Sequence, residues 1–514
     1  MWSSLFLFLA LCLVALGAAQ QLPPTDGPQA GEFFIRGKRD TTSTEKRGYS
    51  SFLTKKTEEF LLNGTNIPDV PFDIGEAYAG LLPISSEADE TAKLYFFFMP
   101  SQNPLAADEI TIWLNGGPGC SSLEGLFQEN GPFIHQYGTF APVRNQWSWT
   151  NLTNMVWIEQ PVGTGFTQGT PTARNEDDLA KQFLGFFKNF VETFGLHGKK
   201  ISITGESYAG VYIPYIADAM FNKEDKEYFN IQNTLLFDPS INDERVLTQI
   251  PAVAFVDKWS GLFPFNTSFK NHIHTLANDC GYTSYLTTNL VYPPAGPFPP
   301  LSPLNPACKL YEIIFDAITL INPCFDVYQA ATTCPVLWDP LGFPGSFYYT
   351  PPGAQIYFNR TDVQQAINAP PTNWSECPPD SSPPVFINGN DTSPASSYSV
   401  LPAVIERSNR TIIAHGDLDF LLTVQGTLLT IQNMTWNGVQ GFSAEPDGEL
   451  FVPYHPKGAV ESMGGAGVMG KFRTERGLTF AELFLTGHMV PQYSPAASYR
   501  LVEFMLGRID DLGE

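Results

Sequence analysis

Apolar positions in this chain follow two rhythms. Short, nearly continuous apolar runs occupy residues 92–98, 110–114, 154–159, 200–203, 410–414 and 478–485. Runs of this length, rich in β-branched and aromatic residues, predict strands buried on both faces. Elsewhere the period lengthens. Leu179, Phe183, Phe186, Phe187, Phe190, Val191 and Phe194 recur at steps of three and four, which predicts a helix over residues 176–194 with one apolar face. Residues 211–220 and 495–506 also read as helices. Strands alternating with helices predict an α/β fold, a mainly parallel central sheet with helices on both faces. Ordered structure is expected from near Pro71. The rhythm breaks between residues 242 and 352, which include a proline-rich run at 292–306. The predicted organisation is therefore a core of residues 51–241 and 353–514 carrying an insertion of residues 242–352.

The first 19 residues form a third pattern, one apolar run with a small-residue end. Gly17 and Ala19 fit the −3 and −1 positions of a signal-peptidase site. Residues 20–50 are polar, with the dibasic pairs Lys38-Arg39 and Lys46-Arg47, and read as a mobile leader or propeptide. No other run approaches the 20 or so apolar residues of a membrane span, so no membrane anchor is expected. Removal of Cys12 with the signal peptide leaves Cys120, Cys280, Cys308, Cys324, Cys334 and Cys377, an even set suited to three disulfides in an exported chain. Four of these fall in the insertion, which is predicted to be stapled by two disulfides of open pairing. Eight glycosylation sequons, at Asn63, Asn151, Asn266, Asn359, Asn373, Asn390, Asn409 and Asn433, point to the same secretory route. The expected location is secreted, with a vacuole as the alternative. A net charge of −23 argues against nucleic acid as a partner. The cysteine spacings are not those of a zinc site, and the glycine-rich residues 115–120 lack the Lys-Ser/Thr of a nucleotide loop. Neither metal nor cofactor is expected.

Candidate chemistry sits where predicted strands end. The strand at 200–203 runs into Thr204-Gly205-Glu206-Ser207-Tyr208-Ala209-Gly210 and then a helix. A serine in such a turn is a helix cap by default, but it is also the setting of a nucleophile elbow, although Ala209 departs from the strict G-x-S-x-G form. A serine hydroxyl attacks only when a base takes its proton and an acid orients that base. Downstream, Asp419 lies on a Gly-x-x-Asp turn after one strand and His488 on a Gly-His turn after another, with Asp417 as the rival acid. The order Ser, Asp, His is that of the α/β-hydrolase fold, and three strand ends place these residues on one edge of the sheet.

Four motifs in order, Trp113-Leu114-Asn115-Gly116-Gly117-Pro118-Gly119-Cys120-Ser121-Ser122, Gln160-Pro161-Val162-Gly163-Thr164-Gly165-Phe166, Gly205-Glu206-Ser207-Tyr208-Ala209-Gly210 and Gly487-His488-Met489-Val490-Pro491, resemble the serine carboxypeptidase family. The resemblance covers the chain from about residue 70 to its end. It implies a serine-type peptidase that releases C-terminal residues from peptides and proteins, with Ser207 as nucleophile, His488 as base and Asp419 as orienting acid. The oxyanion hole would be the backbone N–H groups of Gly117 and Tyr208. Asn115, Gly116 and Glu206 would bind the substrate carboxylate, with Glu129 as the acidic partner of Glu206. A carboxyl group can read a carboxylate only while protonated, so the resemblance implies work at acidic pH. It also implies a Cys120–Cys377 disulfide. Two positions depart from the family pattern: Leu422, where relatives often carry cysteine, and Gln492-Tyr493, where many carry an acidic residue. An esterase, acyltransferase or hydroxynitrile lyase on the same scaffold is the alternative reading.

Overall fold

The computed structural model describes residues 52–139, 141–301, 305–342, 352–378, 384–455 and 462–514. The expected signal peptide and leader lie outside the described residues. Ten strands form one sheet: β1 (Tyr78–Pro83), β2 (Lys93–Met99), β3 (Glu109–Leu114), β4 (Met155–Glu159), β5 (Lys200–Glu206), β6 (Ile231–Phe237), β7 (Arg410–Gly416), β8 (Gly448–Val452), β9 (Gly467–Glu475) and β10 (Leu478–Leu483). Their order across the sheet is β1-β2-β4-β3-β5-β6-β7-β10-β9-β8. The centre, from β4 through β3, β5, β6 and β7 to β10, is parallel. Antiparallel pairs finish both edges, β1-β2-β4 on one side and β10-β9-β8 on the other.

The continuous apolar runs are strands buried on both faces, as their composition requires. In β2, Leu94, Phe96 and Phe98 enter one hydrophobic cluster while Tyr95, Phe97 and Met99 enter the other. Helix α1 (Glu176–Phe194) presses its phenylalanine stripe on the first face, and Phe190 meets Phe96 and Phe98 edge-on at 5.2 and 5.5 Å. Its ends carry their own signals. The Asn175 side chain accepts from the Asp178 N–H, three acidic residues fill the first turn, and Gly195 ends the helix at φ +65°. Helix α2 (Ala209–Lys223) packs on the same face. The second face holds Trp113, Trp157, Phe237 and the C-terminal helix of residues 495–505.

Four strands, β1, β6, β8 and β9, lie outside the predicted runs. β6 reads Ile-Gln-Asn-Thr-Leu-Leu-Phe, too polar to stand out as a buried strand. Its polar side chains pair with neighbouring strands: Asn233 Nδ2 donates to Ser202 Oγ at 3.2 Å, and the Thr234 and Thr411 hydroxyls lie 3.1 Å apart. β8 is the edge strand and β9 its neighbour, both partly exposed and without strict alternation. The structured chain also starts earlier than Pro71. Phe52 packs edge-on against Phe98 at 5.2 Å, and Phe60 is buried in the helical turn Glu58–Phe60.

Within the segment of broken rhythm, α3 (Ala252–Lys258), α4 (Thr267–Asp279), α5 (Tyr282–Asn289) and α6 (Leu310–Ile321) gather a cluster of their own, joined to the sheet domain through Phe420 and Leu429. The disulfides pair Cys280 with Cys308, Cys324 with Cys334, and Cys120 with Cys377. The first two pairings, open in the sequence, join residues near in the chain. Among the sequons, Asn63, Asn151, Asn266, Asn373, Asn390 and Asn409 are exposed. Asn359 and Asn433 are half-buried and hydrogen-bonded to backbone, Asn359 to the Trp374 carbonyl and Asn433 to the Phe298 N–H.

Candidate active site

Strand β5 continues past Ile203 through Glu206, because Thr204, Gly205 and Glu206 stay in register with Leu235, Leu236 and Phe237. The turn is thus compressed into Ser207 and Tyr208, with α2 starting at Ala209. Ser207 has φ +60°, a left-handed conformation that a non-glycine residue adopts only when its surroundings enforce it. Those surroundings are backbone hydrogen bonds. The Ser207 N–H donates to the Phe237 carbonyl, and the Ser207 carbonyl accepts from Gly210 and Ser240. Close packing admits little bulk here: a Cβ on Gly205 would meet the Leu114 carbonyl at 2.1 Å.

The other two predicted residues lie past the ends of parallel strands β7 and β10. Asp419 and His488 are buried, and His488 Nδ1 lies 2.6 Å from Asp419 Oδ2. The second carboxylate oxygen accepts from the Leu421 and Leu422 N–H groups at 2.8 and 3.1 Å, which fixes the carboxylate plane. Leu422, noted above as a departure from the family pattern, serves Asp419 through its backbone. His488 Nε2 is buried and has no hydrogen-bond partner among the described residues. The His488 N–H donates to the Tyr328 carbonyl, and the two rings meet edge-on at 5.1 Å, so the inserted segment holds the imidazole. The rival acid turns elsewhere: Asp417 Oδ2 lies 3.7 Å from Lys258 Nζ. Burial pushes its carboxyl up to about 6, with Lys258 opposing the rise.

Next to the elbow runs the glycine-rich segment after β3. A Cβ on Gly116 would lie 2.5 Å from the Tyr208 nitrogen and 2.8 Å from Ser207 Cβ, so only glycine lets the two backbones meet. Gly117 follows at φ +112°. Neither the Gly117 nor the Tyr208 N–H donates to a described residue, which leaves two backbone donors beside Ser207. The disulfide at Cys120 abuts this segment.

Asn115 gathers carboxyl groups. Its Oδ1 accepts from Trp113 Nε1 at 2.7 Å and from the Gly125 N–H, which directs Nδ2 toward Glu206 Oε1 at 2.9 Å, Glu129 Oε1 at 3.3 Å and Glu124 Oε2 at 3.3 Å. The three acids are buried. Desolvation pushes Glu129 up to about 8, against the hydrogen bonds it makes with Glu206 and Asn115. Glu206 is also raised, by burial first and then by the charges of Glu129 and Glu124, and Glu124 is raised by burial and then by the charges of Glu376, Glu129 and Asp339. At acidic pH the three are neutral acids.

Sequence reasoning missed Glu124, which carries no motif signal beyond its place four residues after Cys120. It also missed Glu159. Its buried carboxyl accepts from the Ser121 hydroxyl, the Phe166 N–H and Trp374 Nε1, tying the Gln160–Phe166 segment to the glycine-rich turn. Burial pushes it up to about 7 against those three bonds.

A parallel sheet with an elbow serine, a buried acid–imidazole pair and two backbone donors on one edge defines an α/β-hydrolase. The comparison with known proteins narrows the class. The serine carboxypeptidase family model matches residues 68–508, and the chain belongs to that family. It is 62% identical over 480 residues to a probable serine carboxypeptidase of Arthroderma benhamiae, covering 91% of this chain and 90% of the relative. It is 45% identical over 483 residues to serine-type carboxypeptidase F of Aspergillus niger, covering 90% and 89%. In fold it resembles the crystal structure of Kex1Δp, a prohormone-processing carboxypeptidase from Saccharomyces cerevisiae, with TM-score 0.68 at 22% identity, covering 89% of this chain and 98% of that one. The chain is a serine-type carboxypeptidase.

Proposed function

We propose that this enzyme removes C-terminal residues one at a time, at acidic pH, from peptides and proteins with a free carboxylate, through an acyl-enzyme on Ser207. The observation that carries the reading is the position of the neutral-acid cluster. Glu206 immediately precedes Ser207 and shares the amide of Asn115 with Glu129 and Glu124. A reader of carboxylates beside the nucleophile restricts cleavage to the last peptide bond.

The steps follow from the groups named. Asn115 Nδ2, the Gly116 backbone and protonated Glu206 bind the terminal carboxylate and place the scissile carbonyl over Ser207. Ser207 Oγ bonds to the carbonyl carbon while His488 Nε2 takes the hydroxyl proton. Asp419 holds the imidazole tautomer and stabilises the cation that forms. The N–H groups of Gly117 and Tyr208 receive the oxyanion. His488 returns the proton to the leaving amine, the C–N bond breaks, and the shortened peptide remains as an ester on Ser207. Water, activated by the same imidazole, releases it. Ionisation of the acid cluster sets a negative charge against the substrate carboxylate, so peptide cleavage falls as pH rises through the range in which Glu129 loses its proton, about 8.

The amino-terminal apolar run and the exposed sequons support export, with residues 20–50 as a leader to a core of residues 51–241 and 353–514. Among the described residues no helix is long and apolar enough to cross a membrane. The test is timed release of amino acids from one peptide in free-acid and amidated forms at several pH values. Release from the free acid should be faster by at least tenfold at acidic pH and converge on the amide above pH about 8. Equal rates at all pH values would remove the exopeptidase assignment.

A further inference from the structure

Behind Asp419 lie a second carboxyl and a second imidazole that the steps above do not use. Asp238 follows β6, and His415 is the penultimate residue of β7; both are fully buried. Adjacent parallel strands bring them together, since Phe237 pairs with Ala414. His415 Nε2 lies 2.7 Å from the Leu422 carbonyl, 3.3 Å from Asp238 Oδ1 and 3.7 Å from Asp419 Oδ2. A carbonyl oxygen only accepts, so Nε2 carries the hydrogen. Nδ1 is then the acceptor for the Thr427 hydroxyl, at 3.1 Å. With both nitrogens used this way the ring is neutral, and burial opposes the cation.

Asp238 Oδ1 accepts from the Gly416 N–H at 2.9 Å, with His415 Nε2 3.3 Å away. Its Oδ2 is buried and without a donor. The groups facing the two carboxyls are Asp417, His415 and His488, with Glu206 and Glu482 further off, and among the described residues no lysine or arginine pairs with Asp238. A carboxyl oxygen of Asp238 and one of Asp419 lie within 4.8 Å of each other, with the neutral His415 ring beside both; two carboxylates so placed repel, and one proton removes the repulsion and satisfies Oδ2 at the same time.

We propose that Asp238 is a positioning residue that stays protonated and donates from Oδ2 to Asp419, and that neutral His415 locks this acid pair to the Leu422 turn. Asp419 then receives a neutral donor in addition to Leu421, Leu422 and His488. The direction of the Asp238 shift agrees: burial raises it first and the Asp419 charge second.

The proposal rests on the assignment of Ser207, Asp419 and His488 given above, and the test separates the two. The substrate is an N-acyl amino-acid ester, whose leaving group has no carboxylate for Glu206 to read. Parent enzyme, Asp238→Asn, Asp238→Leu, His415→Gln and Ser207→Ala are assayed for kcat and KM from about pH 3 to 9. If Ser207→Ala hydrolyses the ester as fast as the parent, the assignment of the nucleophile fails. If it does not, Asp238 is decided as follows. Asparagine mimics the neutral acid, so Asp238→Asn should keep kcat within about threefold and leave the acid limb of kcat/KM in place. Asp238→Leu removes the donor and should lower kcat at least tenfold with KM unchanged. His415→Gln, which retains an N–H donor, should stay within about fivefold of the parent. An acid limb displaced downward by about one pH unit in Asp238→Asn would mean that a negative charge had been removed, and would overturn the proposal. So would an Asp238→Leu enzyme with the kcat of Asp238→Asn. Should the leucine variant fail to fold, the asparagine profile decides alone.

Discussion

Replacement of Glu129 by glutamine tests the acid cluster through both stability and activity. In the folded chain burial holds the Glu129 proton up to about pH 8, whereas its ordinary value is 4.5. Between those values the folded state binds a proton that the unfolded chain has released, so stability falls with rising pH. Stability contributed by this group is complete below pH 4.5 and lost as pH climbs toward 8. At about 1.4 kcal/mol per pH unit, that interval removes on the order of 5 kcal/mol, a large share of a typical folding free energy. Glutamine has no proton to lose and keeps the shape and donor capacity of the neutral acid. Urea midpoints of parent and Glu129→Gln at several pH values from about 4 to 8 should therefore diverge. The parent should lose several kcal/mol more than the variant across the interval, with the variant the more stable at the upper end. The same variant should retain peptide kcat/KM further into the alkaline range, since one source of negative charge facing the substrate carboxylate is gone. Parallel stability curves, together with an unmoved alkaline limb, would refute the claim that Glu129 is buried as a neutral acid.

Other substitutions address the remaining parts of the site. Ser207→Gly should abolish peptide release and fluorophosphonate labelling while raising stability by about 1 kcal/mol, because glycine adopts φ +60° without strain; an unchanged or lower urea midpoint would count against the strained elbow. Asp419→Asn should lower kcat by about 10⁴-fold, whereas Asp417→Asn should leave it within about threefold; the reverse order would reassign the acid. Gly116→Ala should drive a methyl group into the Tyr208 nitrogen and lower kcat by about 10²–10³-fold, with folding checked by circular dichroism. All six cysteines among the described residues are paired, so organomercurial treatment of enzyme lacking residues 1–19 should leave peptide hydrolysis intact.

Much of the fold was written in local pattern. The phenylalanine stripe of α1 has the period of a helix, and the buried central strands are continuous apolar runs because both of their faces meet helices. The elbow was legible because strand, small residues and helix follow one another within about ten positions. Asp419 and His488 were legible because each lies on a short turn after a recognisable strand, and motif resemblance tied the three together. β6 was not legible, because its asparagine and threonine find their partners on β5 and β7 rather than along the chain.

The sequence by itself determined the class of chemistry, since a serine, an acid and a histidine each follow a recognisable strand in the order of the α/β-hydrolase fold. The tertiary structure alone decided the electrical state of the site. Nothing near Glu124 in the chain marks it as the third carboxyl on Asn115, and the Gly416-x-x-Asp419 turn, which favours Asp419 over Asp417, does not show that Asp417 pairs with Lys258 while Asp419 meets His488. Nor does the sequence set Asp238 and His415 against Asp419. Proton affinity is governed by burial and by charges a few ångströms away, and those neighbours come from segments up to hundreds of residues apart.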